Sequence, residues 1–195
     1  MLLTTAYFPP VEYFAVLAEY SSVFIEACEN YQKQSYRNRC RILTATGPED
    51  LRVPVVHEGG TFSLPITRIK VDYSTPWVVR TERAIESAYR SSPFFIYYRD
   101  PLFAILDSHP QTLWELNSRL TQFFCAKIGI VPQIIPTETF GTETPLDIHP
   151  KHPSEYVARP YWQVFSDRLG FVPGLSIMDL LFNEGPESIC YLKPM

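Results

Sequence analysis

Four basic side chains lie close together between Glu29 and Ile42, in a chain whose formal net charge is -4. The stretch reads ENYQKQSYRNRCRI, and its cations are Lys33, Arg37, Arg39 and Arg41. Guanidinium groups bind phosphates and carboxylates through paired hydrogen bonds, and neighbouring amide side chains add further donors. The stretch therefore predicts a local site for an anionic small molecule, such as a sugar nucleotide or another phosphate-bearing donor.

The alignment of these cations depends on the local backbone. As a strand, the stretch places Arg37, Arg39 and Arg41 on one face. As a helix, it aligns Lys33, Arg37 and Arg41 at four-residue steps. Either structure gives a stripe of positive charge. The alternative interpretation is that nearby carboxylates neutralise these groups in surface ion pairs, each contributing about 0 to 1 kcal/mol.

Two carboxylates, Glu26 and Glu29, lie just before the basic block and are the candidate catalytic residues. A carboxylate beside a bound donor can accept a proton from an attacking amine or hydroxyl. Charge balance for the arginines is the alternative role. The expected substrate-binding residues are Tyr7, Lys33, Tyr36, Arg37, Asn38 and Arg39.

Tyr7 lies where the first predicted strand turns into a helix. Backbone N–H groups at such a turn favour anions, but Pro9 and Pro10 remove two of those donors. Stacking of the Tyr7 ring on a sugar or base is therefore favoured over a phosphate cradle, and packing of the ring in the core is the alternative.

Metal binding has weak support in the sequence. Asp147, His149 and His152 form an incomplete set of ligands, so we predict no metal site. The four cysteines lack the spacing of a zinc site or a disulfide framework and are expected to be reduced thiols: Cys28, Cys40, Cys125 and Cys190. The sequence identifies no cofactor.

Length and composition predict one domain over residues 1–195, because 46% of the residues are apolar and can form a single large core. The negative net charge argues against a nucleic-acid partner. The first ten residues lack a basic region, and no apolar run reaches the roughly 18 residues of a membrane span. We expect a cytoplasmic protein, whereas the oligomeric state is not indicated.

The first part of the chain predicts a βαβ unit, with strands LLTTAY and VFIEA around the helix VEYFAVLAEY. The fold class is therefore α/β: a mainly parallel sheet begun by this unit, with a helical second half packed on it. RCRILTA and LRVPVV predict a hairpin across TGPED, and ITRIKVDY a further strand. A helix is expected from Ser108, as N-cap, to Gly129.

Taken together, these segments resemble the WbqC-like family. The resemblance covers most of the chain and rests on Tyr7-Phe8-Pro9-Pro10, the KQSYRNR block from Lys33 to Arg39, Val53-Pro54-Val55, Trp77, the SPFF segment from Ser92 to Phe95, and Leu116-Asn117. The KQSYRNR block is the most specific of these motifs.

The family takes its name from a gene in an O-antigen cluster, so the resemblance implies a role in making surface polysaccharide. The function expected is that of an enzyme that transfers a group to or from an activated sugar or other anionic donor. Lys33, Arg37 and Arg39 would hold the donor, Asn38 would orient it, and Glu26 or Glu29 would act as base. A non-catalytic ligand-binding or assembly protein of the same pathway is the alternative.

Overall fold

The computed structural model of the chain describes residues 1–57, 63–141, 144–146, 148–152 and 154–193. Within these ranges the strands are Leu2–Thr4 (β1), Ser22–Glu26 (β2), Arg39–Thr44 (β3), Gly47–Arg52 (β4) and Gln133–Pro136 (β5). The α-helices are Val11–Glu19 (α1), Trp77–Tyr89 (α2), Phe95–Asp107 (α3), Leu113–Ile128 (α4), Ser166–Leu169 (α5), Ile177–Glu184 (α6) and Ser188–Tyr191 (α7). Short 3-10 turns lie at Ile66–Arg68 and Gly185–Glu187.

The central sheet is parallel and has the order β1-β2-β5. Its first pair is joined through α1, which confirms the predicted βαβ unit. Leu3 pairs with Ile25, and Val23 pairs with Ile134, so one face of the sheet points into the core. Phe24 alternates to the opposite face and is 43% exposed. The sheet is therefore covered by apolar packing on the face that holds Leu3, Val23 and Ile25.

Helices are the main regular secondary structure in the described chain after β4, where β5 is the one strand, and the predicted α/β class is confirmed. α4 packs against α1, because the Phe124 ring lies 5.9 Å from the Phe14 ring in an edge-to-face contact. α4 also contacts α3 and α6, and α6 contacts β3. Among the described residues, none of the helices combines the length and apolarity needed to cross a membrane.

The predicted hairpin forms, but with a tighter turn than expected. β4 begins at Gly47, so most of TGPED lies in the strand and only Ala45 and Thr46 connect β3 to β4. Gly47 adopts a φ of 119°, and the Thr44 hydroxyl donates to its carbonyl at 2.8 Å. The VPVV segment continues only as one isolated bridge, from Val55 to Val71, instead of extending the strand.

Two other predicted elements differ in the structure, one in its first residue and one in its type. The helix expected from Ser108 begins at Leu113, because the Thr112 hydroxyl accepts from the Glu115 N–H at 3.2 Å and caps it, while Ser108 ends α3. Its predicted end is confirmed at Gly129, where φ is 83°. ITRIKVDY forms a 3-10 turn and two isolated bridges instead of a strand.

A buried polar cluster connects α6 to the segment that contains Tyr161 and Gln163. Asp179 is 1% exposed, and its Oδ2 accepts from the Tyr161 hydroxyl at 2.7 Å and from Gln163 Nε2 at 2.9 Å. Burial raises the pKa of Asp179 from 3.8 to about 6, although both hydrogen bonds lower it. The network therefore contains a carboxyl group that titrates near neutral pH.

We expect Asp179→Asn to change the pH dependence of unfolding. Since the native pKa of Asp179 lies above its unfolded value, the native state binds the proton more tightly, and this stabilisation is lost as the pH rises through about 6. The difference between the native and unfolded pKa values is about two units, which corresponds to a loss of about 3 kcal/mol in the free energy of unfolding. Urea unfolding from about pH 4 to pH 7 should show the wild type losing that much more stability than the variant.

Asp167→Asn is the matched control, because Asp167 is exposed and the substitution changes the net charge equally. The control should follow the wild-type curve. Parallel curves for the wild type and Asp179→Asn would show that Asp179 keeps an ordinary pKa in the fold.

Candidate functional site

A cavity of about 740 Å³ lies at the carboxyl ends of β1 and β2. Its wall includes Thr4, Glu26, Cys28, Glu29, Arg37 and His149, and we call it the sheet-edge cavity. Ligands of open α/β sheets bind outside the carboxyl ends of the strands. The cavity brings both candidate catalytic carboxylates together with one predicted substrate-binding residue, Arg37.

Glu26 ends the central strand and is held from two sides. Its Oε1 accepts from the Thr137 hydroxyl at 2.7 Å and from the Cys28 N–H at 2.9 Å. Thr137, which follows β5, accepts in turn from the Ala27 N–H at 2.9 Å. Glu26 Oε2 makes no hydrogen bond within the described ranges. The side chain is therefore fixed through one oxygen, while the other has no hydrogen-bond partner among the described residues.

Glu29 and Arg37 form a bidentate ion pair in which both side chains are 6% exposed. Arg37 Nε donates to Glu29 Oε1 at 2.7 Å, and Nη2 donates to Oε2. Burial raises the pKa of Glu29, and the hydrogen bonds and charge of Arg37 oppose that rise. Since Nε and Nη2 are occupied, Nη1 is the guanidinium nitrogen left for a ligand.

The backbone on either side of Arg37 is also anchored. Asn117 of α4 is fully buried, and its Nδ2 donates to the Arg37 carbonyl at 2.8 Å. The neighbouring Tyr36 carbonyl accepts from the Tyr7 N–H at 2.8 Å. The sequence marked Asn117 only as part of a family motif. An amide among the apolar positions of a helix, next to Leu116, was the signal for this positioning role.

Lys33, Asn38 and Arg39 line a different cavity, of about 390 Å³. We call it the basic cavity, because its wall contains Lys33, Arg39, Arg52 and His57. Tyr31 lines both this cavity and the sheet-edge cavity, so the two are neighbours. The structure thus divides the predicted anion site into two parts, and it adds Arg52 and His57, which sequence reasoning missed.

The predicted stripe of cations holds only in part. β3 begins at Arg39, so Arg39 and Arg41 share a strand face, and each lies 3.2 Å from a carboxylate oxygen of Asp50. Arg37 precedes the strand and turns to the sheet-edge cavity instead. Asn38 Nδ2 donates to the Val53 carbonyl at 2.9 Å, which joins the start of β3 to the chain after β4.

The two candidate tyrosines lie elsewhere. Tyr36 lines a third cavity of about 270 Å³, which we call the aromatic cavity; its wall also holds Arg41, His149, Tyr156 and Tyr161. Tyr7 is 0% exposed, with its ring 4.5 Å from that of Phe8, and it lines none of these three cavities. In this structure the Tyr7 ring packs in the core.

His149 and His152 lie close together in the described part of the loop after β5. The rings of His149 and His152 are 4.5 Å apart, and the predicted third member, Asp147, lies outside the described residues. Among the residues that the structure describes, no group of three or more His, Cys, Asp or Glu side chains is placed to hold a metal ion. All four cysteines are free thiols.

The chain has recognisable relatives. The sequence model of the WbqC-like protein family matches residues 5–163, which include every described lining residue of the sheet-edge and basic cavities except Thr4. The uncharacterized protein Rv1507c of Mycobacterium tuberculosis (strain ATCC 25618 / H37Rv) is 28% identical over 224 aligned positions, covering 98% of this chain and 96% of that protein. No solved structure matches. The chain belongs to the WbqC-like protein family.

Proposed function

We propose that the chain is a transferase of surface-polysaccharide biosynthesis that moves a group between an activated, anionic donor and a hydroxyl or amine acceptor. The observation that carries this proposal is the placement of Glu26 and Arg37 in one cavity at the carboxyl edge of the parallel sheet. The polysaccharide context comes from the family resemblance alone.

Glu26 is the proposed base. Its Oε1 is held by Thr137 and Cys28, so Oε2 has a fixed direction and receives the proton of the acceptor O–H or N–H. The acceptor lone pair then forms the new bond to the transferred group. The bond between that group and the donor breaks, and its electrons remain on the anionic donor fragment.

Arg37 is the proposed binding residue for developing negative charge in the sheet-edge cavity. Its ion pair with Glu29 fixes the guanidinium plane and leaves Nη1 toward the ligand. Glu29 is less suited than Glu26 to act as base, because both of its oxygens accept from Arg37. Its proposed role is to position Arg37. Lys33 and Arg39 remain proposed ligands of the donor, from the basic cavity.

We expect Glu26→Gln to abolish group transfer while the fold persists. The amide oxygen still accepts from Thr137 and Cys28, but the side chain can no longer take a proton. A lost general base costs about 10²- to 10⁴-fold in rate. Two quantities are measured: the rate of turnover of nucleotide-sugar or acyl donors, and the affinity for the donor by calorimetry. Affinity should change much less than rate.

Glu19→Gln is the control, since Glu19 is exposed at the end of α1 and carries the same charge. It should retain wild-type turnover. Full turnover in Glu26→Gln would show that Glu26 is not the base. Donor binding by a wild-type protein that turns over none of the tested donors would favour the alternative, a ligand-binding or assembly protein.

We also expect Glu29→Gln to destabilise the protein by about 3 to 5 kcal/mol, because it leaves the buried Arg37 charge without a partner. Glu29→Gln combined with Arg37→Gln should recover part of that loss, since the second change removes the unpaired charge. Denaturant unfolding of the single and double variants gives the coupling energy directly.

Glu86→Gln serves for comparison, because Glu86 and Arg99 form a glutamate–arginine pair with a single contact at 3.4 Å and side chains 47% and 41% exposed. Breaking that pair should change stability by at most about 1 kcal/mol. Equal effects of Glu29→Gln and Glu86→Gln would show that the Glu29–Arg37 pair does not anchor the site.

A further inference from the structure

Four basic residues line the basic cavity. Lys33, Arg39, Arg52 and His57 all line it, and no Asp or Glu is present among its described lining residues. Its volume of about 390 Å³ is larger than one phosphate group requires and accommodates a diphosphate. In a chain with a net charge of -4, this local excess of cations is unusual.

Two of these cations are opposed across the hairpin. Arg39 and Arg52 are direct cross-strand partners in the β3–β4 register. Like charges at directly opposed positions destabilise a sheet. Asp50 is the carboxylate within reach, but it is shared by Arg39 and Arg41. Arg52 makes no ion pair with any described residue. Asp50 thus pairs with two of the three guanidinium groups on this face of the described hairpin.

Arg39 also contains a buried donor without a partner. Its Nη1 contacts Asp50, but its Nε is inaccessible to solvent and has no hydrogen-bond acceptor among the described residues. Leaving such a donor unpaired costs about 1 to 3 kcal/mol, and more for a charged group. Of the two features, the opposed charges and the unpaired Nε, an anion with several acceptor oxygens relieves the first, because it offsets the opposed charges of Arg39 and Arg52.

We infer that the basic cavity is a phosphate-binding site, formed by Arg39 and Arg52 with Lys33 and His57, that takes a phosphomonoester or diphosphate. This inference rests on the proposed function in one respect: the phosphate belongs to the activated donor. Because Tyr31 lines both cavities, a donor bound through its phosphate in the basic cavity can place its transferable group in the sheet-edge cavity.

The test uses inorganic phosphate, pyrophosphate and a nucleoside diphosphate as probes, each against chloride at equal ionic strength. Calorimetry should show saturable binding, and the melting temperature should rise with ligand concentration because binding stabilises the native state. Arg52→Gln should weaken binding about tenfold or more, since it removes hydrogen bonds to a charged group. In ligand-free buffer it should not lower the melting temperature, because it removes the repulsion with Arg39.

Arg39→Lys provides a second variant that keeps the charge but loses Nε and the planar fork. It should also weaken phosphate binding about tenfold or more. Arg83→Gln is the matched control, because Arg83 is exposed on α2 and lines neither cavity. Phosphate affinity in this control should equal that of the wild type.

Three results would overturn the inference: equal shifts with phosphate and chloride, equal loss of affinity in Arg52→Gln and Arg83→Gln, or wild-type affinity in Arg39→Lys. A failure of the proposed function can be distinguished from a failure of this inference, because the binding measurements do not require turnover. Phosphate binding without group transfer would uphold the site and reject the transferase. Preferential binding of the nucleoside diphosphate over inorganic phosphate would identify the donor, and not free phosphate, as the source of the ligand.

Discussion

The buried ion pair between Glu29 and Arg37 fixes the course of the chain between β2 and β3. Glu29 lies shortly after the end of β2, and Arg37 lies shortly before the start of β3, so the pair joins the central sheet to the hairpin. Asn117 of α4 donates to the Arg37 carbonyl, so the parallel sheet, the hairpin and the longest helix of the described chain meet at Arg37. Burying two charges has a large desolvation cost, which their bidentate contact offsets only while both partners remain.

This anchoring determines what the basic block can do. With Arg37 fixed by Glu29, the strand starts at Arg39, and the two arginines serve different cavities although they are only two residues apart. Gln34, with a φ of 60°, lies in the turn that makes this division possible. Within the block, Arg37 is therefore paired with a buried carboxylate, whereas Arg39 shares Asp50 with Arg41.

The sequence predicted the features that depend on local pattern. Strand-helix-strand order gave the parallel pair, and the carboxyl edge of β2 located Glu26 and Glu29 next to Arg37. The pattern could not predict contacts made over long sequence separations, such as the bond from Asn117 to Arg37. It also could not assign Arg52 to the site, because its pairing with Arg39 depends on a connection of two residues where five were expected.

The two neighbouring cavities differ in electrostatic character, and that difference suits a group transfer. Two carboxylates and one arginine are among the described lining residues of the sheet-edge cavity, and in the proposed transfer Glu26 would receive the proton of the acceptor there. Four basic residues and no described carboxylate line the basic cavity, where the proposed donor would keep its phosphate. Under the proposed function, proton acceptance and phosphate binding therefore take place at different groups in neighbouring cavities, and Arg37 lies on the side of the proton acceptor.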